Sequence, residues 1–244
     1  MTPITSSHNS QLKDVRRLQR RRERERSGLF VAEGEDLIAA AAAAGRIPVA
    51  GYRVAGSRPH EFTEVEAQAL AAVCSLGSGV RVLAVYEQRL SSPVGPLCVY
   101  LHGVRDPGNV GTVLRSALAF GASCVAMGPD CADPFSSKAV RASMGAVFAV
   151  SLARVAGPAE LPGQCVALVA HAGEAIDHVV RDGALSLLVG GERAGLPPDV
   201  LAMCARTAHI PIAGDSLNAA MAATVALYEV TRSPGGAASR VAMK

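Results

Sequence analysis

The stretch Leu187–Glu229, LLVGGERAGLPPDVLAMCARTAHIPIAGDSLNAAMAATVALYE, decides the fold class of this chain. It begins in an apolar strand that breaks at Gly190-Gly191 into a polar loop. A second strand, His209–Ile212, leads into another loop, where Ser216 is predicted to cap the alanine-rich helix Leu217–Arg232 by accepting from its first N–H groups. Loops that follow parallel strands lie together at the carboxyl ends of those strands. We therefore expect both loops to meet one ligand.

The sequence before this stretch alternates in the same way between strands and helices. Leu97–His102 is a continuous apolar strand, and Asn109 is predicted to cap the helix that follows it. This alternation favours an α/β fold with a parallel sheet and helices on its faces. The predicted order is a small α/β domain at 1–88, a linker at 89–96, the sheet domain at 97–233 and a flexible tail at 234–244.

Charge is distributed unevenly along the chain of 244 residues, whose formal net charge is +3. Between Lys13 and Arg26, within a predicted helix Gln11–Ser27, eight Lys or Arg residues stand against three acidic ones. A basic segment at the front of a slightly acidic body indicates a polyanion partner such as RNA. The alternative is a solvated helix face with internal Glu–Arg pairs.

Several classes of site are disfavoured by the sequence. The six cysteines form no C-x-x-C and do not cluster with histidine, so we expect a reducing compartment, no disulfide framework and no metal site. The glycine motifs of dinucleotide-binding and P-loop proteins are absent. The front of the chain has no apolar signal segment, and the run Ala39–Ala44 is too short to span a bilayer. These features predict a cytoplasmic protein that is not bound to a membrane.

An esterase is the first enzyme class to consider, because Gly214-Asp215-Ser216-Leu217 looks like the nucleophile block of GDSL esterases. That family places the Asp and His of its triad after the serine. No histidine follows His209 here, so a triad in that order is impossible.

Three further motifs, in order, resemble the SpoU (TrmH-type) RNA ribose 2′-O-methyltransferases of the SPOUT superfamily. They are Asn109–Arg115, Gly190-Gly191-Glu192, and Ile210-Pro211-Ile212 together with Ser216-Leu217-Asn218. The resemblance covers Leu97–Arg232. Residues 4–86 resemble the small RNA-binding domain that often precedes the methyltransferase domain in this family.

The resemblance implies the fold, the cofactor and the site. It implies a deep C-terminal trefoil knot that binds S-adenosylmethionine, and a homodimer formed through the C-terminal domain with the RNA site across its two-fold axis. The expected cofactor-binding residues are Gly190, Gly191, Ile210, Ile212 and Leu217. The expected catalytic residues are Arg115, Asn109, Glu192, Ser216 and Asn218. Arginine is almost always protonated, so we expect Arg115 to grip a phosphate and stabilise a developing alkoxide.

The function that follows is methylation of a ribose 2′-hydroxyl in RNA, with ribosomal RNA the expected substrate. Transfer RNA is the alternative substrate. A non-catalytic RNA-binding protein of the same fold is also open, because Ala219-Ala220 follows Asn218 where family members commonly have Val-Ser. Asn109 and Ser216 could also be plain helix caps, Glu192 a solvated loop charge and Arg115 a surface residue.

Overall fold

A computed structural model describes residues 3–75 and 79–232 of the chain. The predicted tail at 234–244 lies outside these residues. Contacts divide the chain into two compact units. The first unit comprises Met1–Arg89 and Asp133–Ala149, and the second comprises Leu90–Ala132 and Val150–Lys244.

The strands and helices alternate along both units. The strands are β1 (Leu29–Glu33), β2 (Ala50–Arg53), β3 (Thr63–Glu64), β4 (Val82–Glu87), β5 (Leu97–His102), β6 (Cys124–Met127), β7 (Ser151–Arg154), β8 (Gln164–Leu168), β9 (Glu174–Ala175), β10 (Leu185–Gly190) and β11 (Arg206–His209). The α-helices are α1 (Ser10–Arg17), α2 (Arg21–Ser27), α3 (Glu35–Ala43), α4 (Ala67–Ala71), α5 (Pro107–Ala119), α6 (Ser137–Ala142), α7 (Ala146–Ala149), α8 (Pro198–Ala202) and α9 (Ala219–Arg232).

The first unit is built on a mixed four-stranded sheet in the order β1-β4-β2-β3. Strand β4 is antiparallel to both β1 and β2, whereas β2 and β3 are parallel. Apolar side chains of α1, Leu12 and Val15, are buried in a core with residues of β1 and β4. This packing stabilises a helix whose sequence is too polar and too short to be stable alone.

The single helix predicted over Gln11–Ser27 is wrong, because the structure has two helices, α1 and α2, separated by a turn. The guanidinium of Arg24 donates from Nη1 to the carbonyls of Leu18 and Gln19, at 2.8 and 3.0 Å. Arg24 also forms a buried ion pair with Asp133 at 2.8 Å. Because the carbonyls of Leu18 and Gln19 accept from Arg24, they need no hydrogen bond from a continuing helix. Asp133 holds the Arg24 side chain in place, so this distant residue helps to fix the turn.

The segment Asp133–Ala149 groups with the first unit although it lies within the predicted domain at 97–233. Its Phe135 and Phe148 pack against Phe30 of β1, with ring centroids 5.0 and 5.7 Å apart. These aromatic contacts and the buried Arg24–Asp133 pair are the physical reason for the grouping. The first compact unit is therefore discontinuous in sequence, and the domain bounds 1–88 and 97–233 stay a prediction.

The second unit contains the predicted parallel sheet, with seven strands in the order β7-β6-β5-β10-β8-β11-β9. Every strand pair in it is parallel. Strands β5 and β10 lie side by side in the middle, and each is almost completely buried. From β5 the chain proceeds outward through α5 to β6 on one side, while β10 and β8 continue the sheet on the other. The order thus reverses between β5 and β10, and ligands bind at such a point in open α/β sheets.

Candidate active site

A cavity lies at the carboxyl ends of β8, β10 and β11, in the second unit. It is lined by backbone and mostly small or aliphatic side chains from the loops after these strands and from the start of α9. The lining residues are Leu168, Val169, Ala170, Val189, Gly190, Gly191, Glu192, Gly195, Ile210, Ile212, Ser216, Leu217, Ala219 and Ala222. All five residues predicted to bind the cofactor are among them, and so are Glu192 and Ser216. Their role as cofactor ligands stays a prediction, but the structure places them around one space.

The glycines of this cavity allow the protein's own loops to approach one another. A Cβ on Gly191 would lie 2.4 Å from the carbonyl oxygen of Gly103, and a Cβ on Gly190 would lie 2.2 Å from the carbonyl carbon of Gly195. Gly195 also donates its N–H to the carbonyl of Gly191 at 2.9 Å. Only glycine permits such backbone proximity, so these residues set the position of the loop after β10 against the loop after β5.

Three of the predicted catalytic side chains form one hydrogen-bonded cluster beside the cavity. Asn218 donates from Nδ2 to Oε1 of Glu192 at 2.8 Å and to Oδ1 of Asn109 at 3.2 Å. Asn109 donates from its own Nδ2 to the same Glu192 oxygen. Three residues far apart in sequence are therefore held together at the ends of β5, β10 and β11. Oε1 of Glu192 is occupied by two amide donors, which leaves its Oε2 able to accept from a ligand.

The helix caps differ from those predicted, and the difference explains how this cluster forms. Helix α5 begins at Pro107 and is capped by Asp106, which accepts from the N–H of Asn109 at 3.0 Å. Helix α9 begins at Ala219, and the cap is Asn218 rather than Ser216, since its Oδ1 accepts from Ala220 N–H at 2.9 Å. The Asn109 side chain is thereby released from capping. The oxygen of Asn218 is fixed by the helix, so its nitrogen must point at Glu192 and Asn109.

Arg115, the fifth predicted catalytic residue, is not brought into this cluster. It lies on α5, its side chain is exposed, and it lines neither this cavity nor the second one described below. No described residue forms a hydrogen bond or an ion pair with it. On the buried side of the same helix, Ser116 lies 2.6 Å from Thr224 of α9, oxygen to oxygen. Apolar residues are exposed on these two helices, including Leu118, Met221 and Tyr228.

A second cavity shares its wall with the first and was not predicted from the sequence. Its residues come from the loops after β5, β6 and β10, and they are His102, Gly103, Val104, Arg105, Asp106, Asn109, Asp130, Gly191, Glu192, Arg193, Ala194, Gly195 and Pro197. Gly191, Glu192 and Gly195 belong to both cavities. The signal available in the sequence was the pair Arg105 and Arg193, each a few residues after a buried strand.

Some basic residues of the first unit form ion pairs, and some line a groove on its surface. Arg24 is buried, while Arg17, Arg21 and Arg26 each pair with an acidic neighbour on their own helix. Lys13, Arg16, Arg17 and Arg20 line a shallow groove along α1. The interpretation as internal Glu–Arg or Asp–Arg pairs is confirmed for Arg17, Arg21 and Arg26, and binding of a polyanion by the groove stays a prediction.

Within the described ranges no group of His, Cys, Asp and Glu side chains is arranged to hold a metal ion. No described helix is both long and apolar enough to cross a membrane.

The SpoU rRNA Methylase family model matches residues 96–228, more than half of the chain. The chain belongs to the SpoU rRNA methylase family. This confirms the resemblance inferred from the three motifs. A second model, the MRM3-like substrate binding domain, matches residues 9–91.

Relatives of this family resemble the chain over nearly its whole length. The 23S rRNA (guanosine(2553)-2'-O)-methyltransferase RlmP of Bacillus subtilis is 28% identical, over 94% of this chain and 99% of the relative. A crystal structure of an AdoMet-bound rRNA methyltransferase from Sinorhizobium meliloti has a TM-score of 0.81 and 32% identity, covering 95% of this chain and 97% of that one. The SpoU methyltransferase AviRb from Streptomyces viridochromogenes, in complex with AdoMet, has a TM-score of 0.80 and 28% identity, with coverages of 92% and 98%.

Proposed function

We propose that this protein transfers a methyl group from S-adenosylmethionine to a ribose 2′-hydroxyl of ribosomal RNA. The observation that carries the proposal is the cluster of Asn109, Glu192 and Asn218 on the wall of the cavity between the strand ends. The family of the chain and the names of its full-length relatives support the same activity.

The lining of the first cavity suits the chemistry of the proposed cofactor. Ile210, Ile212 and Leu217 offer apolar surface to a purine, and the strand ends at Gly190-Gly191 offer backbone groups to polar atoms. S-adenosylmethionine supplies an already activated methyl group on its sulfonium. The protein then needs mainly to position the hydroxyl and stabilise its developing charge, which requires no metal ion.

The polar cluster is proposed to orient the acceptor ribose. Its amides are fixed because Asn218 is tied to the first turn of α9 and both amides meet at Glu192. Because these donors and acceptors are already in place, they need little reorganisation when charge develops on the 2′-oxygen. Preorganised groups of this kind lower the activation free energy of a reaction. Ser216 lines the same cavity. Arg115 is proposed to contact a phosphate and the developing alkoxide as a permanently charged donor.

Arg115 requires a second chain in this proposal. Since it lies on an exposed face of α5 and outside both cavities, we propose a homodimer in which Arg115 of one protomer serves the site of its partner. The exposed Leu118 and Met221 on α5 and α9 support a dimer face there, because exposed apolar groups on neighbouring helices favour association. The proposal also includes a trefoil knot in the second unit, as the family resemblance implies.

The first unit is proposed to bind the RNA substrate, as the match to a substrate binding domain suggests. The groove along α1 supplies basic residues for phosphates. Replacing Lys13 and Arg20 with Gln is expected to weaken RNA binding and reduce its salt dependence more than replacing Arg21 and Arg26, which are already paired. Because the proposed substrate is ribosomal RNA, we propose a cytoplasmic location.

The activity is tested with the full-length protein, radiolabelled S-adenosylmethionine and ribosomal RNA from a strain that lacks this gene. We expect heat of cofactor binding in calorimetry, transfer of label to RNA, and one phosphodiester that becomes resistant to alkali. A methylated 2′-oxygen cannot attack its neighbouring phosphate. Label found on a base, or a folded protein that binds no cofactor, would contradict the proposal. Transfer to transfer RNA but not to ribosomal RNA would correct the substrate.

The departure at Ala219-Ala220 leaves the cluster intact. Both alanines are buried, and the N–H of Ala220 still donates to Asn218. The position that carries serine in many family members is therefore not needed to hold Asn218, Glu192 and Asn109 together. This favours an active enzyme over a non-catalytic binder of the same fold.

A further inference from the structure

We infer that Arg105 and Arg193, which both line the second cavity, bind the phosphates that flank the target ribose. This inference rests on the proposed function and adds the residues that seat the RNA strand. Both arginines line the cavity, together with Asn109 and Glu192 of the polar cluster. Neither residue is part of the motifs that define the family resemblance.

The position of the cavity follows from the reaction. The 2′-hydroxyl must reach the methyl donor in line, so the acceptor ribose has to lie at the wall that both cavities share. Gly191, Glu192 and Gly195 form that wall. The cofactor is proposed to fill the first cavity, so the strand that carries the ribose must enter through the second. Its phosphates then lie within the second cavity, beside the residues that line it.

The two guanidinium groups of the cavity suit phosphate as their ligand. Three acidic side chains line it, but each is already engaged: Asp106 caps α5, Glu192 accepts from the two asparagines, and Asp130 pairs with Arg105. Arg193 is exposed and forms no hydrogen bond or ion pair with any described residue. An uncompensated guanidinium beside a hydroxyl-orienting cluster suits a phosphodiester, which matches its planar fork of donors.

Asp130 forms an ion pair with Arg105 that a phosphate of the RNA can replace. Asp130 has a φ of 58°, which is uncommon outside glycine but tolerated by aspartate, and its carboxylate lies 3.3 Å from the Arg105 guanidinium. Both side chains are largely exposed, at 79% and 70%. An exposed pair of this kind adds little stability, so Arg105 is kept near the cavity without being locked to its partner.

The test compares the wild type with Arg105→Ala, Arg193→Ala and the double variant, all as full-length protein. The probe is ribosomal RNA from a strain that lacks this gene, and KM for RNA, kcat, RNA binding and cofactor affinity are measured over a salt series. Arg181→Ala is the matched control, because Arg181 precedes β10 and so lies at the opposite end of the strand from the site. Circular dichroism checks that each variant is folded.

Each single substitution is expected to raise KM for RNA about tenfold, the loss of one charge-assisted contact, with cofactor affinity unchanged. In the double variant, the slope of log RNA affinity against log salt concentration should also become shallower, by the amount that corresponds to about one to two lost phosphate contacts. Arg105→Lys and Arg193→Lys should keep the wild-type salt dependence and have a KM between those of the wild type and the alanine variants. Lysine keeps the charge but lacks the planar guanidinium fork. Arg181→Ala should behave as the wild type.

An active wild type whose double variant keeps KM, RNA affinity and salt dependence within twofold would overturn the assignment of the arginines. A different result separates the two proposals. If the wild type transfers no methyl group but the double variant still loses RNA affinity and salt dependence, the phosphate contacts stand and the proposed activity fails.

Discussion

Asn109 and Arg115 both lie on α5, yet they differ in almost every structural respect. Asn109 is joined to Glu192 and Asn218 by hydrogen bonds that a single chain completes. Arg115 is exposed and has no partner among the described residues. One part of the site is therefore preorganised by the fold of one chain, whereas the role proposed for Arg115 needs a second chain. The predictions below test that division.

The largest effect is expected from Arg115→Ala. If Arg115 contacts the phosphate and the developing alkoxide, its loss should lower kcat by about 10²-fold or more while cofactor affinity stays unchanged. Arg115→Lys should recover only part of the rate, because lysine lacks the planar fork. Single-turnover methyl transfer and calorimetry measure the two quantities. A variant with the wild-type rate would remove Arg115 from the mechanism.

Gly191→Ala should damage the other part of the site. The new Cβ would meet the carbonyl oxygen of Gly103 at 2.4 Å, so the loop after β10 must shift away from the loop after β5. We expect cofactor affinity to fall by about 10- to 100-fold, as overpacking of a tight contact costs on the order of 1–3 kcal/mol. Gly214→Ala is the matched control, since a Cβ there meets nothing within 4 Å. Equal affinities of the two variants would show that the close approach does not shape the cavity.

The smallest effect is expected from a mixture of two impaired variants, and it distinguishes a site within one chain from a site shared by two. Arg115→Ala and Asn218→Ala protomers are mixed in equal amounts after dissociation. If Arg115 serves the partner's site, a mixed dimer has one intact site, and about a quarter of wild-type activity should return, because half of the dimers formed at random are mixed. If Arg115 acts within its own chain, every site lacks one residue and no activity returns.

Much of the fold was predictable from the sequence because strand ends and glycines are local signals. The apolar runs at β5 and β10 and the break at Gly190-Gly191 marked the edge of the sheet where the cavity lies. The alternation of strands and helices was likewise enough to predict a parallel sheet, which the structure has. The family also followed from the motifs, since the three of them stand in the expected order.

The details of the site were less predictable for a physical reason. Asp106, Asn109, Ser216 and Asn218 are all capable caps, and only the packed structure decides which of them caps and which remains free for the cluster. The turn between α1 and α2 depends on Asp133, a residue more than a hundred positions away. The proposed role of Arg115 needs a partner chain, and the pattern of one sequence does not show where a partner would lie.

The buried Arg24–Asp133 pair has a consequence for the order of events on the ribosome. Losing one partner of such a pair costs about 3–5 kcal/mol. Burial of the Arg24 guanidinium is therefore unfavourable until Asp133 has been synthesised. Synthesis proceeds at about 5–20 residues per second, so several seconds separate the end of β4 from the emergence of Phe148. Until then Phe30 can contact Tyr86 of β4 but lacks its contact with Phe148, and it lacks Phe135 until that residue emerges. The unit encoded first is therefore completed late. A nascent chain halted before residue 133 has emerged from the ribosome should be more sensitive to protease than one halted after residue 149 has emerged.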